Sequence, residues 1–221
     1  MTTGNVSRHP EVSTAALSDA LGRLTTHRTH ILDLVSPTPR RVLYGRAITI
    51  QFVPFRQDLY DAEVHNFARF FYEAIGAGAR DSVLALGSSG QVDVSLGGGT
   101  KLSRLQNHRL AGLVTDGRLR DFDELGRYDS VFYCGGETVK AGTADVMPVA
   151  ANVPVVIGGT TVLPGDIVYA DAAAAVIVPS GLADEAFTLA ADVEREDAAF
   201  VTSIRDEDPD TIGSSVSGRE I

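Results

Sequence analysis

The stretch of this 221-residue chain richest in chemical possibility is Gly112 to Leu125, GLVTDGRLRDFDEL. An apolar segment runs into an Asp-Gly turn, after which Arg120 and Asp121 stand side by side. Adjacent opposite charges beyond the end of a strand fall where α/β sheets place their ligands. A carboxylate beside a guanidinium stays ionised at neutral pH, so Asp121 can hold a hard cation while Arg120 takes an anion. The same residues also fit plain helix-start chemistry, with Asp121 as a cap, Glu124 completing a capping box and Arg120 paired to a surface acid. Spacing alone leaves both readings open.

A second candidate is the loop Leu96-Gly97-Gly98-Gly99-Thr100-Lys101, directly before an apolar helical pattern. Three glycines let backbone N–H groups approach a ligand, and a helix N-terminus favours a carboxylate or phosphate. The Gly-Lys-Ser/Thr order of a phosphate-binding P-loop is absent. A tight turn without a ligand is the alternative. The five histidines show no HxH or HExxH spacing, which argues against zinc. Ser88, Ser89 and Ser103 have no recognisable His/Asp partner, and Cys134, the only cysteine, reads as a small apolar residue at a strand end.

These residues need elements to hold them. STAALSDALGRL predicts a helix capped by Ser13 or Thr14, with Leu17, Leu21 and Leu24 on one face. RVLYGRAITIQFV predicts a long strand, and DAEVHNFARFFYEAI a helix with Val64, Phe67, Phe71 and Ile75 as its stripe. Short strands follow at SVLAL, GLVT, SVFYC, VPVVIG, TTVL, DIVYA and AAVIVP, with helix starts near Thr100 and at RDFDEL. A last helix covers about residues 181–200. The fold class is α/β, one domain over 13–204 with a polar arm at 1–12 and a polar tail at 205–221.

Composition sets the outer limits. Nineteen Lys+Arg against 29 Asp+Glu give a net charge of -10, the wrong sign for a phosphate-backbone binder, so no nucleic-acid partner is expected. No apolar stretch reaches the length of a membrane span, and the polar start lacks a signal-peptide core. One cysteine fits a reducing compartment. The expectation is a cytoplasmic protein without a membrane partner.

In LSDAL at 17–21, the Gly-rich stretch to Gly99, GLVTDGRLRD at 112–121, and VLPGDIVYAD at 162–171 followed by AAVIVP, the chain resembles the RraA-like family. That family includes class II 4-hydroxy-4-methyl-2-oxoglutarate aldolases with oxaloacetate decarboxylase activity, and the match runs over roughly residues 13–200. The resemblance implies a β/β/α swivelling-type domain assembled as a homotrimer or homohexamer, with sites between subunits. It implies Mg²⁺ or Mn²⁺ at Asp121 and a small anionic 2-oxo acid held by Arg120 and by the backbone of Gly98, Gly99, Thr100 and Lys101. It further implies a glutamate from the neighbouring subunit's last helix in the metal's outer shell. On the predicted helix, Glu185, Asp192 and Glu196 share a flank; Glu196 is the first candidate and Glu194 the second.

The chain also departs from the pattern. The aldolases carry an aspartate some twenty residues before the Arg-Asp pair, a position that falls on Gly99 here, with Asp93 nearby in sequence. The segment FVPFRQDLYDAEVHNF adds Arg56, Tyr60 and His65 where relatives place substrate-adjacent residues. Three functions follow as expectations: a metal-dependent carbon–carbon lyase of aldolase or decarboxylase type, a biosynthetic enzyme using the same scaffold on a larger substrate, or a non-catalytic ribonuclease-regulator-like protein. Loss of the acid favours decarboxylation over retro-aldol cleavage, because decarboxylation needs no base to deprotonate a hydroxyl.

Overall fold

The computed structural model describes residues 10–207. The expected arm (1–12) and tail (205–221) therefore lie largely outside the described residues. The first helix, α1 (Thr14–Leu24), begins where the Ser13 hydroxyl accepts the Ala16 N–H, and it buries Ala16, Leu17, Ala20 and Leu21. A two-residue β1 (His30–Ile31) precedes the twelve-residue β2 (Leu43–Pro54). The next helix, α2 (Phe67–Ile75), is shorter than its sequence stripe predicts. Residues 61–65 form a separate turn in which the Asp61 N–H donates to His65 Nδ1, and Asn66 caps α2 by accepting the Arg69 N–H. Val64 is thus off the helix.

The chain continues through β3 (Val83–Gly87), β4 (Ser95–Gly97), α3 (Gly99–Asn107), β5 (Gly112–Thr115) and β6 (Arg118–Leu119). A one-turn α4 (Phe122–Leu125) leads to β7 (Val131–Tyr133), β8 (Val146–Ala151), β9 (Val155–Ile157) and β10 (Thr160–Val162). The last elements are β11 (Ile167–Ala170), β12 (Ala175–Val178) and α5 (Ala183–Arg205), which runs five residues past the predicted end.

The main sheet has the order β1-β12-β11-β2-β3-β5-β7, with β8 also on β2. Strand β2 joins two kinds of sheet. Residues 43–46 pair antiparallel with β11, residues 47–51 pair parallel with β3, and residues 50–54 pair antiparallel with β8 across a register shift at Gln51/Phe52. Beyond it β3, β5 and β7 are all parallel.

Consecutive strand residues point to opposite faces, and both faces are covered, which is why VLAL and AVIV are apolar without alternation. On one face Val83, Ala85, Val114, Tyr133, Val168 and Ile177 form a continuous core closed by the β9–β10 hairpin. The other face divides. Leu84, Leu86, Leu113 and Phe132 pack beneath α2, α3 and α4, whereas Ile167, Tyr169, Val176 and Val178 pack beneath α1 and α5. The two stretches singled out in the sequence lie at the starts of α3 and α4, each directly after a strand of the parallel β4–β6 pair. No helix among the described residues is long and apolar enough to cross a membrane.

Candidate active site

Beyond the carboxyl ends of β3 and β5 the chain makes a small two-stranded parallel sheet, β4 with β6. It is pinned further by bridges from Ser95 to Ala141 and from Leu119 to Glu137. This sheet sets the loop before α3 against the loop before α4: the Arg120 N–H donates to the Gly97 carbonyl at 2.9 Å. The two stretches singled out in the sequence are therefore brought together. They line a cavity of about 260 Å³ formed by Gly97, Gly98, Thr100, Lys101, Arg120 and Asp121, with Ala141 to Thr143 opposite.

Asp121 adopts the left-handed conformation at φ 63°, ψ 48°, a region asparagine and aspartate tolerate better than most residues. Its carboxylate does not cap its own helix. Oδ2 instead accepts the Gly99 N–H at 3.0 Å, so Asp121 caps α3 from across the cleft. The Phe122 N–H at the start of α4 goes to Glu137 Oε1 at 2.9 Å. The helix-start alternative for Asp121 and Glu124 is thereby corrected: neither carboxylate accepts a hydrogen bond from the first turn of α4. Asp121 Oδ1 makes no hydrogen bond among the described residues.

Arg120 is partly buried, and its guanidinium has no hydrogen-bond or ion-pair partner among the described residues. Beside it, Lys101 Nζ donates to the Leu96 carbonyl at 3.3 Å and lies 5.1 Å from the Phe67 ring centroid. Burial, reinforced by the charges of Arg104 and Arg120, holds the Lys101 ammonium below the ordinary lysine range. A cleft with two cations and one carboxylate suits an anionic guest.

The glycine triplet is explained by close approach, since none of the three glycines has a positive φ. A Cβ at Gly97 would meet Leu102 at 2.9 Å, and one at Gly98 would lie 2.7 Å from Asp121 Oδ2. At Gly99 it would fall 2.1 Å from Glu124 Oε2 and 2.3 Å from Glu124 Cδ. Glu124 thus fills the space that a side chain at residue 99 would take. It is held there by Tyr128, whose hydroxyl lies 2.8 Å from Glu124 Oε1 and 3.0 Å from the Gly99 carbonyl oxygen. Burial and the Glu124 carboxylate push the Tyr128 hydroxyl up to about 12. The carboxylate of Glu124, which sequence reading treated only as a capping residue, thus lies where a side chain at residue 99 would begin, although Glu124 itself does not line the cavity. The i, i+4 spacing of Glu124 and Tyr128 was the available signal.

Other sequence candidates lie elsewhere. Asp93 pairs with Arg118 at 3.8 Å and does not line the cavity. Arg56 pairs with Asp58, while Tyr60 packs its ring in tilted contact with those of Phe55 and His65, outside the cavity. Cys134 is fully buried, which raises its thiol to about 11. Ser89 donates to the Phe52 carbonyl and Ser103 to the Thr100 carbonyl. Within one chain Glu196 lies 3.9 Å from Arg23, and Glu194 accepts the Ser13 N–H at 2.7 Å. Among the described residues no group of three His, Cys, Asp or Glu side chains gathers as a metal cage. Asp121 alone offers a free carboxylate oxygen in the cavity, an arrangement that fits Mg²⁺, which keeps most of its waters and takes one or two carboxylates.

The fold agrees with comparison to known proteins. The family model described as "RraA-like: Aldolase/RraA" matches residues 14–177, and the chain belongs to that family. A Halalkalibacterium halodurans protein named "Putative 4-hydroxy-4-methyl-2-oxoglutarate aldolase" is 25% identical over 207 residues, spanning 91% of this chain and 89% of its own. Protein DlpA of Legionella pneumophila is 25% identical over 138 residues, 62% of this chain but only 22% of the DlpA length. Among solved structures, Streptomyces coelicolor RraAS2, described as an unusual member of the RNase ES inhibitor RraA family, superposes with a TM-score of 0.76. It is 27% identical, with 88% of this chain and 94% of that one covered.

Proposed function

We propose that this protein is a carbon–carbon lyase of the aldolase/decarboxylase type, acting on a small 2-oxo acid with a divalent cation, Mg²⁺ or Mn²⁺, at Asp121. The observation that carries the reading is the Arg120 guanidinium: partly buried, without a protein partner, and lining the same small cavity as the Asp121 carboxylate. Arg120 grips the substrate carboxylate through paired N–H donors. The first turn of α3 leaves the N–H groups of Thr100 and Lys101 without intrahelical acceptors, and these turn toward the same anion. The Gly99 N–H is excluded from that role because Asp121 already takes it. When bound, the cation supplies Lewis-acid stabilisation of the enolate formed on cleavage. Glu124, held by Tyr128 against Gly99, fixes the Gly99 peptide and through it Asp121, and places a carboxylate where a proton must be managed.

The cavity volume favours a small acid over the larger substrate of a repurposed enzyme, since sites for drug-sized ligands run to ~300–1,000 Å³. Retention of Arg120 and Asp121 in one cleft favours an enzyme over a purely ribonuclease-regulating role. A neighbouring subunit bringing Glu196 toward the cation belongs to the same proposal, as does assembly into a homotrimer or homohexamer. The test is turnover of oxaloacetate and of 4-hydroxy-4-methyl-2-oxoglutarate with Mg²⁺ or Mn²⁺, against cation-only controls. A cation-stimulated enzymatic rate that disappears in R120A and D121A is expected; no rate above control sinks the reading.

A further inference from the structure

A second cavity, of about 940 Å³, opens at the other end of the sheet from the candidate active site. Its walls are the segments that lead into β2, β3, β5 and β7. Those four strands run parallel, so all the wall segments sit at amino ends, whereas Arg120 and Asp121 lie beyond the carboxyl ends. The two cavities share no lining residue, and binding at one is independent of lyase chemistry at the other. In a chain of net charge -10, this cavity is lined by Arg40, Arg41, Arg80 and Arg109 against two acids, Asp81 and Asp129. Both acids are engaged: Asp81 Oδ2 lies 3.5 Å from Arg80 Nε, and Asp129 Oδ2 accepts from Gln106 Nε2 at 2.9 Å. Arg41 directs its guanidinium to the Tyr128 and Asp129 carbonyls. Arg40 and Arg109 are exposed, and neither has a hydrogen-bond or ion-pair partner for its side chain among the described residues.

Arg109 holds its place at a conformational cost. It follows the end of α3 with φ 56°, in the left-handed region. The Leu110 N–H donates to the Leu105 carbonyl at 3.0 Å and the Arg109 N–H to the Gln106 carbonyl at 3.1 Å. That is a Schellman ending, in which glycine normally takes the position of Arg109. Among the described residues, every other non-glycine residue with positive φ is an aspartate, asparagine or serine, with a short polar side chain. One of them, Asp81, lines the same cavity and donates its N–H to the Arg109 carbonyl at 2.9 Å. A strained arginine, free of protein partners and set beside other arginines, marks a site built for a ligand.

We infer that this cavity binds a small organic phosphate carrying two or more phosphoryl groups, held by Arg40 and Arg109. Clustered guanidinium groups repel one another, and a polyvalent anion relieves that repulsion where a single carboxylate leaves it largely unmet. Each phosphoryl group offers several acceptor oxygens, so one group can meet the forks of two arginines at once. The organic part rests on the half-buried Val42 and Tyr44, which line the same cavity. Arg41 and the Gln106–Asp129 pair, in which the Asp129 N–H also donates to Gln106 Oε1 at 2.8 Å, tie the wall segments together before any ligand arrives.

The experiment is isothermal titration of the full-length protein with inorganic pyrophosphate, ADP and citrate, at fixed ionic strength and without divalent cations. Pyrophosphate and ADP should bind the unsubstituted protein and R120A alike. Affinity for both should fall by about tenfold or more in R40A and in R109G. R109G should also raise the Tm of the unliganded protein by about 2–4 °C, because glycine relieves the left-handed position. Weaker binding by a more stable protein cannot come from a damaged fold. No binding of pyrophosphate or ADP at millimolar concentration overturns the inference. Citrate bound as tightly as ADP overturns the assignment to phosphate. Binding lost in R120A but kept in R109G places the anion in the other cavity and overturns it too. A lowered Tm with unchanged affinity in R109G does the same, since Arg109 would then serve only the carboxyl end of α3.

Discussion

Substitution of Gly99 by alanine separates the folding and chemical roles of the cleft. The new methyl would meet Glu124 Oε2 at 2.1 Å and Cδ at 2.3 Å. Those atoms are the far end of an exposed, flexible side chain, so Glu124 can swing out with no backbone movement. Its departure breaks the contact with the Tyr128 hydroxyl at 2.8 Å, a charge-assisted bond worth about 1.5–3 kcal/mol when well shielded and less at this exposed position. Against that, replacing glycine with alanine at a helical position stabilises by about 0.5–1 kcal/mol. The two nearly cancel. Stability should change by no more than about 1 kcal/mol, or roughly 2–4 °C in Tm for a chain of this size.

Activity should respond very differently. Displacing Glu124 removes the carboxylate that stands in for a side chain at residue 99, and loss of a proton-managing group typically costs about 10²–10⁴-fold. The assay is kcat and KM for oxaloacetate with saturating Mg²⁺, alongside the Mg²⁺ concentration for half-maximal rate. E124A should match G99A. The double variant G99D/E124A returns a carboxylate to the same space from the other helix, and should recover much of the loss. Full activity in G99A, or no recovery in the double variant while E124A is impaired, refutes the reasoning. A stability loss of about 3 kcal/mol or more in G99A would refute the premise that Glu124 can move aside.

Further outcomes follow from the same geometry. R120A should lower kcat/KM by about 100-fold or more, and R120K should recover little, because an ammonium cannot reproduce the paired donors of a guanidinium. The Asp171 carboxylate accepts the Thr14 hydroxyl at 2.8 Å, the Thr14 N–H at 3.1 Å and the Ala173 N–H at 2.8 Å. Burial alone would raise it, but these bonds outweigh burial and hold it below its ordinary value of 3.8. Its contribution to stability is then complete above about pH 4 and lost as pH falls through the lower folded value. Urea unfolding of D171N should show a deficit near neutral pH that narrows below pH 4; a deficit constant with pH would contradict this. At Gly112 a Cβ would fall 1.8 Å from the Val131 carbonyl oxygen, a backbone atom fixed in the sheet. G112A should therefore cost about 3 kcal/mol, the upper end of overpacking penalties, and show as poor soluble yield.

The sequence made the framework legible where one physical rule dominates. Strands buried on both faces read as short continuous apolar runs, and β3, β5, β7, β11 and β12 all lie where such runs predict them. Helix α1 was equally plain, because Ser13 and the Leu17/Leu21 spacing state both its start and its face. Elements defined by pairing alone were not visible. Strands β4 and β6 are three and two residues long and exist only because each bridges the other. Strand β8 carries Pro148, which is tolerated because its only strand partner among the described residues is β2. The predicted helix over 61–75 lost its first turn because the Asp61–His65 and Asn66 bonds end one structure and begin another.

At the candidate site, Arg120, Asp121 and the glycine loop were singled out from residue type and spacing, and the structure brings them to one cavity. The hydrogen bond from the Gly99 N–H to Asp121 was not foreseeable, because the carboxylate reaches across the cleft to another helix. Nor was the placement of Glu124, whose meaning depends on an absent side chain 25 positions earlier. Arg56, Tyr60 and His65 misled because a polar, aromatic segment can satisfy itself. Here it does so through an ion pair and tilted ring contacts, away from the cavity.

The account stands or falls on Arg120 and Asp121 holding one guest together. The most direct measurement is a crystal structure grown with Mn²⁺ and oxalate, a stable mimic of the pyruvate enolate. The account predicts anomalous density for the ion against Asp121, with a carboxylate of oxalate on the Arg120 guanidinium. Ion and oxalate bound elsewhere, or an Arg120 side chain turned to bulk solvent with the cavity closed, would contradict it.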